Sequence, residues 1–147
     1  MNFNSQIQSK NQHIVLPELE ANNYQLFIKR EDQIHPLVSG NKFRKLKYNL
    51  QEALDQKQTT LLTFGGAFSN HILATAVAGE LTGLKTIGII RGDELGNDLE
   101  KTLVTNSTLR NASEHGMQFE FVSRETYRNK TSIEFTEILK KKYRDFY

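Results

Sequence analysis

Thr60-Leu61-Leu62-Thr63-Phe64-Gly65-Gly66-Ala67-Phe68-Ser69-Asn70-His71 is the stretch on which the fold of this chain turns. Its first five residues are apolar and partly β-branched, the composition of a short buried strand. Gly65-Gly66 then breaks the run, and Ser69 and Asn70 are residue types that cap helices. A small-residue helix follows over residues 69–82, carrying Ile72, Leu73, Ala76, Val77 and Leu81, and Gly83 stops it. Strand, glycine turn and helix in that order form the unit from which parallel sheets are assembled.

The same alternation extends in both directions. Upstream, residues 1–22 are polar, rich in Asn and Gln, and read as extended or loosely ordered; residues 24–29 read as a strand. Ser39-Gly40 breaks the chain, and Phe43, Leu46, Leu50, Ala53 and Leu54 then recur at helical spacing. Downstream, Lys85-Thr86-Ile87-Gly88-Ile89-Ile90 reads as a buried strand. A helix over 99–115 is weakened by Asn106-Ser107-Thr108. Residues 117–122 alternate like a strand, and Thr131 with Glu134 opens a last helix as a capping box. The fold class expected is α/β, a parallel sheet with flanking helices, with strands near 60–64, 86–91 and 117–122.

Two segments carry candidate chemistry. Ser39-Gly40-Asn41-Lys42-Phe43-Arg44-Lys45-Leu46 places Lys42 in the first turn of a helix with Asn41 as its cap. The positive end of the helix dipole and the like charges of Arg44, Lys45 and Lys47 make Lys42 a candidate amine nucleophile. The same cations suit a phosphate; the ordinary alternative is a solvated basic helix face. Gly65-Gly66 lies at the carboxyl end of a strand, where ligands bind in open α/β sheets, and backbone N–H groups there suit a carboxylate or phosphate. The ordinary alternative is a tight turn with Ser69 or Asn70 as a structural cap. Neither GxxxxGK[ST] nor GxGxxG is present.

Other classes are disfavoured. The 147 residues carry a net charge of +2, too little to argue for nucleic acid, and Lys140-Lys141-Lys142 reads as a helix C-terminus. Four histidines without ligand spacing and the absence of cysteine disfavour a metal site. Lys29-Arg30-Glu31-Asp32 reads as an exposed strand end with local ion pairs. No secretory signal or membrane span is seen, so a soluble cytoplasmic protein is expected, with no membrane partner.

Taken together, Ile28-Lys29-Arg30-Glu31-Asp32, Ser39 to Leu46 and Phe64 to His71 resemble the 1-aminocyclopropane-1-carboxylate deaminase and D-cysteine desulfhydrase family, in matching order and separation. The resemblance implies a tryptophan-synthase-β-like fold and pyridoxal 5'-phosphate as cofactor. It implies that Lys42 carries the cofactor as an aldimine and later moves protons, and that Lys45 holds its phosphate. Asn70 would bond its phenolic oxygen, and Ser69, with Gly66, Ala67 and Phe68, would bind or act on the substrate. The substrate would be a small amino acid, 1-aminocyclopropane-1-carboxylate or D-cysteine, and the full-length family would form a homodimer. Ser39-Gly40 stands where the family has a glycine pair. Family members are about twice as long, so the chain reads as a truncated N-terminal half, inactive or incomplete alone. Residues 1–44 would belong to the incomplete large domain and 45–147 to the small α/β domain. The competing reading is a non-catalytic binding or interaction module built on the same scaffold.

Overall fold

The computed structural model describes residues 9–147. Its centre is a three-stranded parallel sheet in the order β3 (Thr60–Gly66), β4 (Lys85–Arg91), β5 (Met117–Val122). Leu61 pairs with Thr86, and Ile87 with Gln118. The parallel sheet over these three segments is the one expected from the alternating pattern. The glycines differ: Gly65 and Gly66 are the last two residues of β3, in register with Ile90 and Arg91, so the strand runs two residues further than expected. It closes through the Ser69 N–H donating to the Gly66 carbonyl at 3.0 Å.

Helices α2 (Gly40–Asp55), α3 (Asn70–Thr82), α4 (Leu99–Thr105), α5 (Ser107–Glu114), α6 (Arg124–Arg128) and α7 (Ile133–Tyr143) surround the sheet. Alternation along β4 shows how both faces are covered. Ile90 packs with Ile72 and Ala76 of α3 and Leu109 and Ala112 of α5. Ile87 and Ile89 pack with Leu139 of α7, with Phe64 and Tyr127 at their margin. Strands buried on both faces read as continuous apolar runs, as β4 does. A third cluster joins Val38, Phe43, Leu46, Leu50 and Ala53 to Leu61, Ala74, Val77 and Ala78, which seats α2 beside α3 and the edge of β3. Leu54, expected on that face, is exposed, because the buried stripe of α2 has only this one side to pack against.

Several local expectations change. The helix over 99–115 is broken in two at Asn106, whose side chain caps α5 by accepting from the Leu109 N–H at 2.9 Å. The poor helix formers there thus have a capping role. In α7 the cap is Ser132, which accepts from Phe135 N–H at 3.2 Å, one residue later than Thr131. The short α6, unforeseen, is capped by Ser123. Residues 1–8 lie outside the described residues. Beyond them the expected loose segment contains β1 (Asn11–Ile14) and a turn of helix, α1 (Pro17–Glu20), with proline at its start. β2 (Leu26–Lys29) pairs antiparallel with β1 in a separate two-stranded sheet and does not join the parallel one. At the far end, Tyr147 pairs with the β3 edge: its N–H donates to Thr60 O, and its carbonyl accepts from Leu62 N–H, both at 2.9 Å.

Candidate functional site

Lys42 owes its position to the loop before α2. His35 Nδ1 accepts from the Leu37 and Val38 N–H groups at 3.1 and 3.0 Å, and Val38 is wholly buried. That pinned turn delivers Ser39, the actual N-cap, and Gly40 at φ +59°, a left-handed conformation that glycine adopts without strain. Asn41, expected as the cap, is inside the first turn. Lys42 follows there, half-buried, and Phe43 anchors the turn in the core. Arg44 does not act as a free cation. It forms a two-pronged pair with Glu31, at 2.8 Å on each arm, and Ser9 Oγ donates to the same carboxylate at 2.6 Å. These bonds, Arg44 first, hold the Glu31 carboxyl down to about 2. The acidic segment is therefore only partly local: Arg30 pairs with Asp32 at 2.7 Å, while Glu31 ties the segment to α2.

The second half of the site is the head of α3. Gly65 is required by close approach, since a Cβ there would lie 2.4 Å from Cγ1 of the buried Ile72. Ala67 turns into the core and Phe68 turns out. Ser69 caps the helix, its Oγ accepting from the His71 N–H at 3.3 Å. The half-buried His71 ring is fixed by Nε2 at 2.8 Å from Thr63 Oγ1. Burial lowers the His71 pKa below 6.5, and the charges of Lys42 and Lys45 lower it further. Two ammonium groups of α2 thus act on the start of α3. Neither is ion-paired among the described residues.

One cleft of about 590 Å³ is lined by Lys42, Phe68, Ser69 and Asn70, together with Ser39, Gly40, Asn41, Asp32, Pro36, Leu37 and Leu73. Its volume is in the usual range for small-molecule sites. The fold thus brings four of the sequence-selected residues together, from segments about 25 residues apart. Lys45, Gly66 and Ala67 are not on its wall, although the Lys45 charge reaches His71. Asp32, Pro36 and Leu37 were not foreseen as lining residues; the pairing of His35 with Pro36 was the only sign of a turn there. His71 lines a neighbouring hollow of about 250 Å³ with Thr63, Asn49 and Tyr147.

A cleft that carries the Lys42 ammonium and the Asp32 carboxylate beside a helix head, at the carboxyl end of a parallel strand, lies where open α/β sheets take their ligands. The chain is 38% identical over 127 residues, 86% of its length, to a bifunctional D-cysteine desulfhydrase/1-aminocyclopropane-1-carboxylate deaminase, mitochondrial, of Arabidopsis thaliana. It is 43% identical over 75 residues to a Thermotoga maritima protein provisionally named 1-aminocyclopropane-1-carboxylate deaminase. Among solved structures it is similar to an ACC deaminase homologue, with a TM-score of 0.65 and 27% identity over 95% of this chain. The chain is therefore a homologue of these proteins, as the lysine and glycine motifs indicated. It spans 31% of the Arabidopsis protein, 24% of the Thermotoga protein and 41% of the solved chain. No family model matches it. No helix among the described residues is long and apolar enough to cross a membrane.

Proposed function

We propose that the cleft is a pyridoxal-phosphate site and that the protein deaminates or desulfhydrates a small amino acid. The observation that carries this reading is the meeting of Lys42, Ser69 and Asn70 on one cleft wall, with the Lys42 and Lys45 charges converging on the head of α3. The donor set fits the cofactor. Lys42, with no carboxylate partner among the described residues, suits its carbonyl, an exposed amide suits its phenolic oxygen, and Lys45, off the cleft wall, adds positive charge for its phosphate. When bound, the cofactor supplies an electron sink for negative charge at the substrate α carbon. The protein's own groups do the rest. Ser69 Oγ and the N–H groups at the α3 head bind the substrate carboxylate. Lys42 Nζ would hold the cofactor and, with D-cysteine as substrate, move the proton at the α carbon; 1-aminocyclopropane-1-carboxylate carries no hydrogen there, and with it the lysine would move protons during ring opening. Asn70 donates its amide hydrogens, and Lys45 balances phosphate charge.

The overall conversions use one water each. D-cysteine gives pyruvate, ammonia and hydrogen sulfide, and 1-aminocyclopropane-1-carboxylate gives 2-oxobutanoate and ammonia. In this reading residues 45–147 are the small α/β domain and residues 1–44 belong to a larger one, with α2 running from one into the other. Turnover by the 147-residue chain is expected to be low. With Asn70 given to the phenolic oxygen, Lys45 by itself offers few of the charge-assisted hydrogen bonds that a phosphate takes, each worth about 1.5–3 kcal/mol.

The test is borohydride reduction of the chain with pyridoxal phosphate, followed by peptide mapping. A pyridoxyl group on Lys42 and not on other lysines supports the reading, and Lys42→Ala should lose both the adduct and any ammonia release. Labelling spread evenly over the surface lysines would favour the non-catalytic module.

A further inference from the structure

Phe68 is 79% exposed in a chain whose other site-turn apolar residue, Ala67, is buried. The turn that carries both is short and closed by the Ser69-to-Gly66 hydrogen bond, so the two side chains take opposite sides of it. Phe68 does not face open solvent alone. It stands on the wall of the cleft with Lys42 and Ser69, and Pro36, Leu37 and Leu73 contribute apolar surface to the same cleft. The cleft wall thus carries an amine, a hydroxyl, the Asp32 carboxylate and a helix head together with apolar surface. An α-amino acid offers partners for both kinds of surface: charged groups at one carbon and a side chain beside them.

We propose that Phe68 is a specificity-determining residue, closing over the side chain of a small amino acid held by its carboxylate at the α3 head. It selects non-polar side chains over hydroxylated ones. The proposal rests on the cofactor-site reading above and adds to it the class of side chain accepted. The discrimination expected from one apolar contact of this kind is about tenfold.

The experiment loads the purified chain with pyridoxal phosphate and follows the cofactor absorbance. Dissociation constants are measured for 1-aminocyclopropane-1-carboxylate, D-serine and glycine, in the wild type, Phe68→Ser and Phe68→Leu. Circular dichroism checks that each variant is folded. The wild type should prefer 1-aminocyclopropane-1-carboxylate to D-serine. Phe68→Ser should reduce that preference about tenfold, Phe68→Leu should keep it, and glycine, lacking a side chain, should bind all three alike. An unchanged preference in Phe68→Ser overturns the inference and leaves the carboxylate site standing. An equal loss of glycine affinity overturns it as well, because Phe68 would then be shaping the turn. If no amino acid perturbs the cofactor in any variant, the cofactor-site reading fails and this inference fails with it.

Discussion

β4 and β2 have similar apolar sequences and opposite fates. Five consecutive residues of β4, Thr86 to Ile90, are buried, whereas all four residues of β2 are exposed. Leu26, Phe27 and Ile28 are 40%, 54% and 49% exposed, while Ile89 and Ile90 are fully buried. The difference lies in what packs against each strand. β4 has a neighbour on both edges and helices on both faces. Among the described residues β2 has one partner, β1, and a two-stranded pair has no layer in which to bury a face. The cleft lies where these two regions meet. Lys42 comes from the helix that follows the hairpin region, and Ser69 and Asn70 ride on the sheet.

The comparison breaks most directly at its two extremes. Ile89→Ala should cost about 2–5 kcal/mol in urea unfolding, as large-to-small changes in a closed core do. A cost near zero would mean that the β4 core is not close-packed. The next largest effect is expected at the site. Gly65→Ala must push against buried Ile72 and should cost about 1–3 kcal/mol, while Gly66→Ala, with open space at its Cβ position, should leave the urea midpoint nearly unchanged. Equal effects of the two changes would place the turn differently from the structure described.

Acid should act at the seam between the regions. The His71 imidazole has its pKa lowered in the fold, by burial first and then by Lys42 and Lys45. Between that lowered value and 6.5 the unfolded chain binds the proton and the native chain does not, so stability falls as pH drops below 6.5. Glu31 adds to this at lower pH. Its contribution is fully present above 4.5 and is lost as pH falls through about 2. Urea midpoints should slope less between pH 7 and the lowered His71 value in His71→Gln than in the wild type, and the same titration carried below 4.5 should be flattened there by Glu31→Gln. The smallest effect belongs to the hairpin. Phe27→Ala should change stability by no more than about 0.5 kcal/mol, the range of exposed substitutions. A large loss there would show that β2 is covered by something beyond its β1 partner.

The legible parts of this protein share a cause. β3, β4 and β5 could be read because short apolar runs bounded by glycine have few other uses, and α3 because its small residues end at Gly83. The cap shift from Thr131 to Ser132 and the break at Asn106 turned on single hydrogen bonds, which several neighbouring residues are equally able to make. The hairpin escaped because β1 is polar: Asn11, Gln12 and His13 resemble loop, and only pairing with β2 makes them a strand. Arg44 counted as a free cation until the structure set it on Glu31, thirteen residues away.

By itself the sequence determined the parallel α/β class, the alternation of strands and helices along the chain, and the Lys42 and Ser69-Asn70 segments as the ones to watch. Periodicity and local caps are short-range properties, and a chain carries them in its own spelling. The family resemblance already implied one site for Lys42, Phe68, Ser69 and Asn70; only the tertiary structure decided which residues line its cleft, that Lys45 stays off its wall, and that His71 is locked to Thr63. Those outcomes depend on how α2 seats its buried face against α3 and the β3 edge, and no local pattern encodes where two helices meet.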